Sequence, residues 1–288
     1  MYTCCREVPR WGVQEIVLQG PADDKAFDRD VTGRFTQAGE TTEVSGFYDG
    51  DGRYIVRFMP SREGLCTFCV RADFLAGDAA GEFTVTPAEA GVHGPVRVSD
   101  TYHFACEDGT HYMPVGTTCY VWHLQTPELC VQTLDTLASS PFNKLRFCVF
   151  PKHYDYNHNE PFAYPFEALP PEDGERFCWD YARFNPAYFR HLEWAVTELG
   201  RRGVQADIIV LHPYDRWGFS RMTRQQDERY ARYLASRLSA FHNVWWSLAN
   251  EYDLMPHKSQ EDWAALAQAL RSCDPYAHLM SNHNCVRI

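Results

Sequence analysis

Residues 241–253 read FHNVWWSLANEYD. From Val244 to Ala249 the run is apolar apart from Ser247, the length of one buried strand, and it delivers Asn250 and Glu251 at its end. Strands covered on both faces read as such unbroken runs and belong to parallel sheets flanked by helices. In those sheets ligands and reacting groups gather at the C-terminal ends of the strands. A surface carboxylate that merely follows a strand would show the same local pattern, so the flanking sequence has to separate the two readings.

Working outward, the chain after residue 96 alternates strand-like and helix-like segments, the mark of a parallel α/β architecture. The expected strands are Met113–Tyr120, Lys144–Phe150, Ala206–Leu211, Val244–Ala249 and Ala277–Met280. A first helix opens at Thr126-Pro127-Glu128, in the order N-cap, proline, acid. Helices over Pro186–Arg201, Gln226–Phe241 and Gln260–Cys273 carry apolar stripes at helical spacing. The excursion from Pro151 to Asn185 is long for a compact domain, which points to function. Before the Pro87–Pro95 linker the rhythm differs. Short alternating runs recur about every ten residues, and Asp49-Gly50-Asp51-Gly52 marks a hairpin turn. The expected architecture is multidomain: an immunoglobulin-like all-β sandwich over residues 1–95, then an incomplete TIM-type (β/α)8 barrel of about five strands over 96–288. A complete barrel takes about 250 residues. The exposed edges of a partial one would call for a second copy or a missing barrel half.

The composition narrows the partners. The net charge is −11, with no basic stripe, which speaks against nucleic acid and an anionic membrane surface. No apolar run reaches the roughly 18 residues of a membrane span. The N-terminal MYTCCREVPRW lacks the apolar core of a signal peptide, there is no Asn-x-Ser/Thr sequon, and the 11 cysteines are scattered. Cytoplasmic residence is the expectation, although secretion after loss of a leader is compatible with the same residues. Cys66 and Cys69 form a CxxC inside a strand-like run and read as small buried hydrophobes.

Every expected strand end of the second domain carries polar and aromatic groups. Tyr120 and Trp122 follow the first, and Lys152, His153 and Asp155 the second. His212, Tyr214 and Trp217 follow the third, Asn250 and Glu251 the fourth, and Asn282 and His283 the fifth. Trp and Tyr can stack on a sugar ring, while Asn, His and Asp can bond its hydroxyls. Asp215 beside Arg216 is expected to form an ion pair that shapes its loop.

The segments GPVRV, YHFACEDGTHYMPVGTT, PFNKLRFCVFPKHYDYN, LHPYDRWGFS and NVWWSLANEYDLM together resemble the apiosidase-like (β/α)8 group of glycoside hydrolases, over nearly all of residues 8–288. The resemblance implies a retaining glycosidase acting on cell-wall-type poly- or oligosaccharides, without a cofactor or a metal. It makes Glu251 the general acid/base and has Asn250 contact the sugar 2-hydroxyl. The other ten strand-end residues are candidate substrate-binding groups. Such enzymes use two carboxylates about 5–5.5 Å apart. The family's nucleophile follows a seventh strand, which these residues do not include, so the expectation is that the polypeptide alone is inactive. Two other readings stay open. One is a non-catalytic carbohydrate-binding or assembly module using the same aromatic cleft. The other, lesser one is a metal-dependent hydrolase built on His153, Asp155, His158, His212 and His283.

Overall fold

The computed structural model describes residues 2–171, 174 and 176–286. The chain is β-rich, with four α-helices among these residues: α1 (Pro127–Ala138), α2 (Pro186–Gly200), α3 (Arg224–Leu238) and α4 (Gln260–Ser272). It divides into two compact units. One comprises Met1–His111, Arg232–His242 and Leu270–Ala277; the other comprises Tyr112–Ala231, Asn243–Ala269 and His278–Ile288.

The first unit contains two mainly antiparallel sheets. One orders the strands Tyr2–Cys4, Gln14–Gln19, Arg53–Phe58 and Phe47–Tyr48; the other orders Glu7–Pro9, Ala79–Thr86, Gly64–Ala72, Val31–Gln37 and Glu40–Ser45. Their alternating side chains enter one shared core, in which Phe35 of the second sheet stacks on Phe58 of the first at 4.3 Å between ring centroids. Burying an aromatic ring contributes roughly 1.5–3 kcal/mol, so this pair alone is a substantial link. The expected turn at Asp49–Gly52 is present. Gly50, Asp51 and Gly52 all take positive φ, and Arg53 N–H closes the turn on the Gly50 carbonyl at 2.8 Å. Two glycines allow that backbone, because a Cβ is disfavoured there. Of the CxxC pair, Cys66 is buried as expected, whereas Cys69 is half-exposed and directs its thiol to Asp78 at 3.2 Å.

A buried ion pair ties this unit's pieces together. Arg237 on α3 is fully buried, and its guanidinium donates to Asp49 at 2.8 Å and is packed with the Tyr233 hydroxyl at 2.8 Å. It also lies 4.5 Å above the Phe47 ring. A second arginine, Arg57, donates to the Arg237 carbonyl at 2.7 Å and to Glu15 at 2.7 Å. Tyr276 closes the third piece: its hydroxyl oxygen accepts from Met59 N–H at 2.8 Å.

The second unit is organised on a five-stranded sheet of Gly116–Thr118, Lys144–Cys148, Gln205–Leu211, Val244–Ala249 and Met280–Ser281, in that spatial order. All four pairings are parallel, and each successive pair is joined through one of the four helices. Caps start α1 and α2 where the sequence placed them: Thr126 accepts from Leu129 N–H, and Asn185 from Ala187 N–H, with proline at the first turn of each. Beyond shifts of one or two residues at the ends of Lys144–Cys148 and Gln205–Leu211, two strands differ from expectation. The first is confined to Gly116–Thr118 rather than Met113–Tyr120, because Met113 and Val115 face solvent. The last is Met280–Ser281 rather than Ala277–Met280, because Ala277 has a left-handed backbone that breaks an extended strand. The 151–185 excursion contains a hairpin of Phe166–Leu169 with Cys178–Phe184.

Removing one member of a buried ion pair leaves an uncompensated charge and costs about 3–5 kcal/mol. Asp49→Ala is therefore expected to lower the urea-unfolding free energy by about that much. The double change Asp49→Leu with Arg237→Met should recover most of it. An Asp49→Ala protein as stable as the parent would show that the pair contributes nothing.

Candidate functional site

Parallel pairing in register carries the strand ends of the second unit to one edge, and there they surround a cleft of about 910 Å³. Tyr120, Trp122, Lys152, His153, Asp155, Tyr214 and Glu251 all line it. These seven are brought together from four strand ends. The remaining five candidates are placed elsewhere. Asn250 is buried directly behind Glu251. His212 is buried and approaches the Phe150 carbonyl at 3.4 Å through Nε2. Trp217 is turned inward, where its indole N–H donates to Glu160 at 2.8 Å. Asn282 is exposed, and His283 supports Glu251 from behind.

Glu251 sits just past the Val244–Ala249 strand with φ 57° and ψ 56°, a left-handed backbone that a non-glycine residue rarely adopts. The segment that follows Met280–Ser281 clamps it. His283 Nδ1 accepts from Glu251 N–H at 3.2 Å, the His283 carbonyl accepts from Tyr252 N–H at 2.9 Å, and Asp253 accepts from Cys285 and Val286 N–H. The Glu251 carboxylate accepts a hydrogen bond from the Tyr214 hydroxyl. That bond, with burial, pushes the Tyr214 phenol well above its usual value, so it stays an O–H donor. Tyr120 directs its hydroxyl to Asn250 Oδ1 at 3.5 Å, while the buried Asn250 Nδ2 has no acceptor among the described residues. A buried amide N–H without a partner is costly, and here it stands beside the cleft's carboxylate.

Lys152 lies at the centre of this group. It is 3% exposed, and its ammonium stands 3.3 Å from the Tyr120 ring centroid, 4.1 Å from Tyr214 and 4.7 Å from Tyr154. Burial lowers its pKa, with Arg146 adding to it and attraction to Glu251 opposing it. The loop that bears it is pinned by Asn157, whose side chain donates to the Lys152 carbonyl at 2.8 Å and accepts from Gln125 at 3.2 Å. His153 and His158 meet ring to ring at 3.3 Å between nitrogens on the cleft wall. Among the described residues no group of three or more His, Cys, Asp or Glu side chains is gathered as a metal site.

The Asp215–Arg216 pair expected from the sequence is replaced by two other interactions. Asp215 folds back on its own loop and accepts from Trp217, Gly218 and Ser220 N–H. Arg216 instead pairs with Glu160, which also accepts from Tyr164 and Trp217. A carboxylate at a loop start reaches nearby backbone donors more readily than the side chain next to it. Burial would raise the Glu160 pKa, but the hydrogen bonds from Trp217 and Tyr164 and the charges of Arg216 and Arg176 outweigh it and lower the value. Glu160 was not legible as a site residue: its partners in the other loop are 56 and 57 positions away. Tyr154, Asn157 and His158 also line the cleft, and their nearness to Lys152 in the KHYDYNH segment was the available signal.

Two predictions concern stability. Burial pushes the His123 ring down to about 3, helped by His191, and the His212 ring down to about 4, with Lys152 adding to burial and Asp215 opposing it. Both are neutral when folded, whereas an unfolded histidine titrates near 6.5. The unfolded chain therefore binds more protons below that pH. Their contribution is complete above about 6.5 and is lost as the pH falls towards 4, by about 2 kcal/mol for each ring between 6.5 and 5. Urea midpoints should fall over this interval, and His123→Phe should remove part of the slope; an unchanged slope would contradict the assignment. Secondly, Glu251→Asn places a residue tolerant of left-handed backbone at a strained position. Its unfolding free energy should match the parent or exceed it by up to about 1 kcal/mol. A loss greater than that would mean the bond to Tyr214 outweighs the strain.

Comparison with known proteins places these residues in context. Residues 99–287 match the apiosidase-like catalytic domain family, and residues 7–73 match a domain family of unknown function, DUF5060. Among solved structures, a presumed glycoside hydrolase from Bacteroides vulgatus ATCC 8482 superposes with a TM-score of 0.93 at 38% identity. The match covers 98% of this chain and 56% of that one, so the chain spans little more than half of its length. A presumed β-galactosidase from Bacteroides fragilis gives a TM-score of 0.38 at 16% identity, covering 98% of this chain and 38% of that one, a likeness too slight to carry an argument. No curated protein matches the chain. With the family match extending over the whole parallel sheet and its cleft, the chain belongs to the apiosidase-like family of glycoside-hydrolase-type proteins.

Proposed function

We propose that the cleft hydrolyses a glycosidic bond by a retaining two-carboxylate mechanism, with Glu251 as general acid/base. The observation that carries this reading is the placement of Glu251: a carboxylate at a parallel strand's C-terminal end, facing the cleft, hydrogen-bonded by Tyr214 and preceded by a buried asparagine with an unused amide. In this reading residues 1–95 are an immunoglobulin-like accessory sandwich, and 96–288 supply five β/α units of a TIM-type barrel. Glu251 protonates the leaving glycosidic oxygen as its bond to the anomeric carbon breaks. A second carboxylate bonds to that carbon, and Glu251 then takes a proton from the water that releases the sugar. The tyrosine-rich walls are suited to stack on the sugar faces, while Asn250, buried beside Glu251 and off the cleft wall, receives the Tyr120 hydroxyl. Asp155 is the other carboxylate lining this cleft. It is exposed and gives no sign of a nucleophile's setting, so that group is assigned to sequence outside these residues, in keeping with the greater length of the solved relative. Cell-wall-type glycans are the proposed substrates.

The aromatic cleft supports a second reading, sugar binding without turnover. One experiment separates them. The natural full-length polypeptide is assayed against a panel of aryl glycosides and cell-wall oligosaccharides, alongside Glu251→Gln. Loss of a general acid/base lowers turnover by about 10²–10⁴-fold, with the largest effect on poor leaving groups. Binding with no turnover, unaltered in Glu251→Gln, would sink the hydrolytic reading and favour the binding module.

A further inference from the structure

Lys152 is an unusual resident of this cleft. A buried ammonium is ordinarily answered by a carboxylate in hydrogen-bond contact. Here the groups against it are the faces of Tyr120, Tyr154 and Tyr214, the nearest 3.3 Å from ring centroid to nitrogen. Each such contact favours the charged form electrostatically, but none neutralises it. Two of the three rings then point their hydroxyls at the paired residues of the strand end, Tyr120 at Asn250 and Tyr214 at Glu251. The cation therefore fixes the donors while its own charge stays available to the neighbouring carboxylate.

We propose that Lys152 is a positioning residue for Glu251: its ammonium locks the tyrosines that hold Asn250 and Glu251 and supplies the positive field in which Glu251 gives up and regains its proton. This rests on the acid/base role proposed above. When Glu251 passes its proton to the glycosidic oxygen it becomes an anion, while Lys152 remains a cation throughout. The attraction between them strengthens as the proton leaves, which favours bond cleavage where the leaving group needs an acid.

The other groups facing the pair leave this role to Lys152. His212 is held neutral by burial, its pKa lowered to about 4. Burial likewise pushes the Cys148 thiol up to about 12, so it carries no charge at neutral pH. Tyr120, Tyr154 and Tyr214 are all shifted upward and remain phenols. Arg146 is a second cation whose charge persists, since Ser247 Oγ at 3.0 Å and the Ala249 carbonyl at 3.1 Å are neutral acceptors; it is the Lys152 ammonium that lies against the rings of Tyr120 and Tyr214. His283 accepts from the Glu251 backbone, and Cys285, the remaining neighbour, has its thiol shifted upward.

The test compares the parent with Lys152→Met and Lys152→Arg in the full-length polypeptide. First, the Glu251 carboxyl is titrated by carbon-13 NMR in glutamate-labelled protein, its signal assigned by its loss in Glu251→Gln. Removing a nearby cation raises a carboxylate's titration midpoint, here by about one pH unit in Lys152→Met, with little change in Lys152→Arg. Secondly, on any glycoside the parent cleaves, Lys152→Met should lower kcat up to about tenfold on the acidic side of both midpoints, where Glu251 is protonated in both proteins, with KM nearly unchanged. The alkaline limb of its pH profile should move up with the NMR midpoint. An unmoved midpoint in a folded Lys152→Met protein overturns the proposal. So does a raised KM with kcat intact, which would make Lys152 a substrate contact. If Lys152→Met does not fold, Lys152→Gln, a neutral side chain of similar length with its own polar end, decides: in the folded variant the midpoint must rise, and an unmoved one overturns the proposal. If no glycoside is cleaved, the hydrolytic reading fails, while the NMR titration still decides whether Lys152 governs the Glu251 proton.

Discussion

Parallel pairing is the constraint from which the site follows. Five strands laid side by side in one direction must end along one edge, and whatever residues come next are thrown together whether or not they are close in sequence. Tyr120, Lys152, Tyr214 and Glu251 come from four different strand ends and meet in one cleft for this reason. The apolar run at Val244–Ala249 fixes the depth at which Glu251 emerges. Its left-handed backbone is then held by a later strand end, through His283. Remove the ladder, and neither the strained backbone nor the tyrosine cage has anything to stand on.

Features with a local physical cause were legible in the sequence. The Val244–Ala249 strand has the expected bounds, and all four helices lie within about three residues of theirs, because apolar stripes, N-caps and prolines act over a single turn. Features decided at a distance were not. Met113 and Val115 look like strand residues but face solvent, and hydrophobicity alone does not say which apolar side chains are covered. His212 and Trp217 follow the right strand yet turn inward, since a loop sends neighbouring side chains in different directions. Asp215 and Arg216 look like partners because they adjoin, whereas each found a better-placed partner. For the cleft, the sequence located the strand ends, but not the arrangement in which Lys152 sits against rings rather than beside an acid.

The two units each bury a cation, and they resolve the cost differently. Arg237 is met by Asp49 in an ion pair whose charges cancel, which serves geometry. Lys152 is met by π-faces, which relieve part of its desolvation and leave its charge to act on its surroundings. The first solution suits a scaffold. The second suits a place where a proton has to move.

The Arg237–Asp49 pair also bears on how such proteins are inherited. Asp49 lies in the turn between two N-terminal strands, Arg237 on α3, and Tyr276, which meets Met59 N–H, comes after α4. A chain beginning at residue 96 would keep Arg237 and Tyr276 but lose Asp49 and the Met59 N–H that they meet. The apparent seam at Pro87–Pro95 is thus a poor place for genetic exchange. A foreign β-domain spliced there would have to bring its own counterpart to Asp49, so the N-terminal strands and the two helix ends are expected to travel and change together as a single hereditary block.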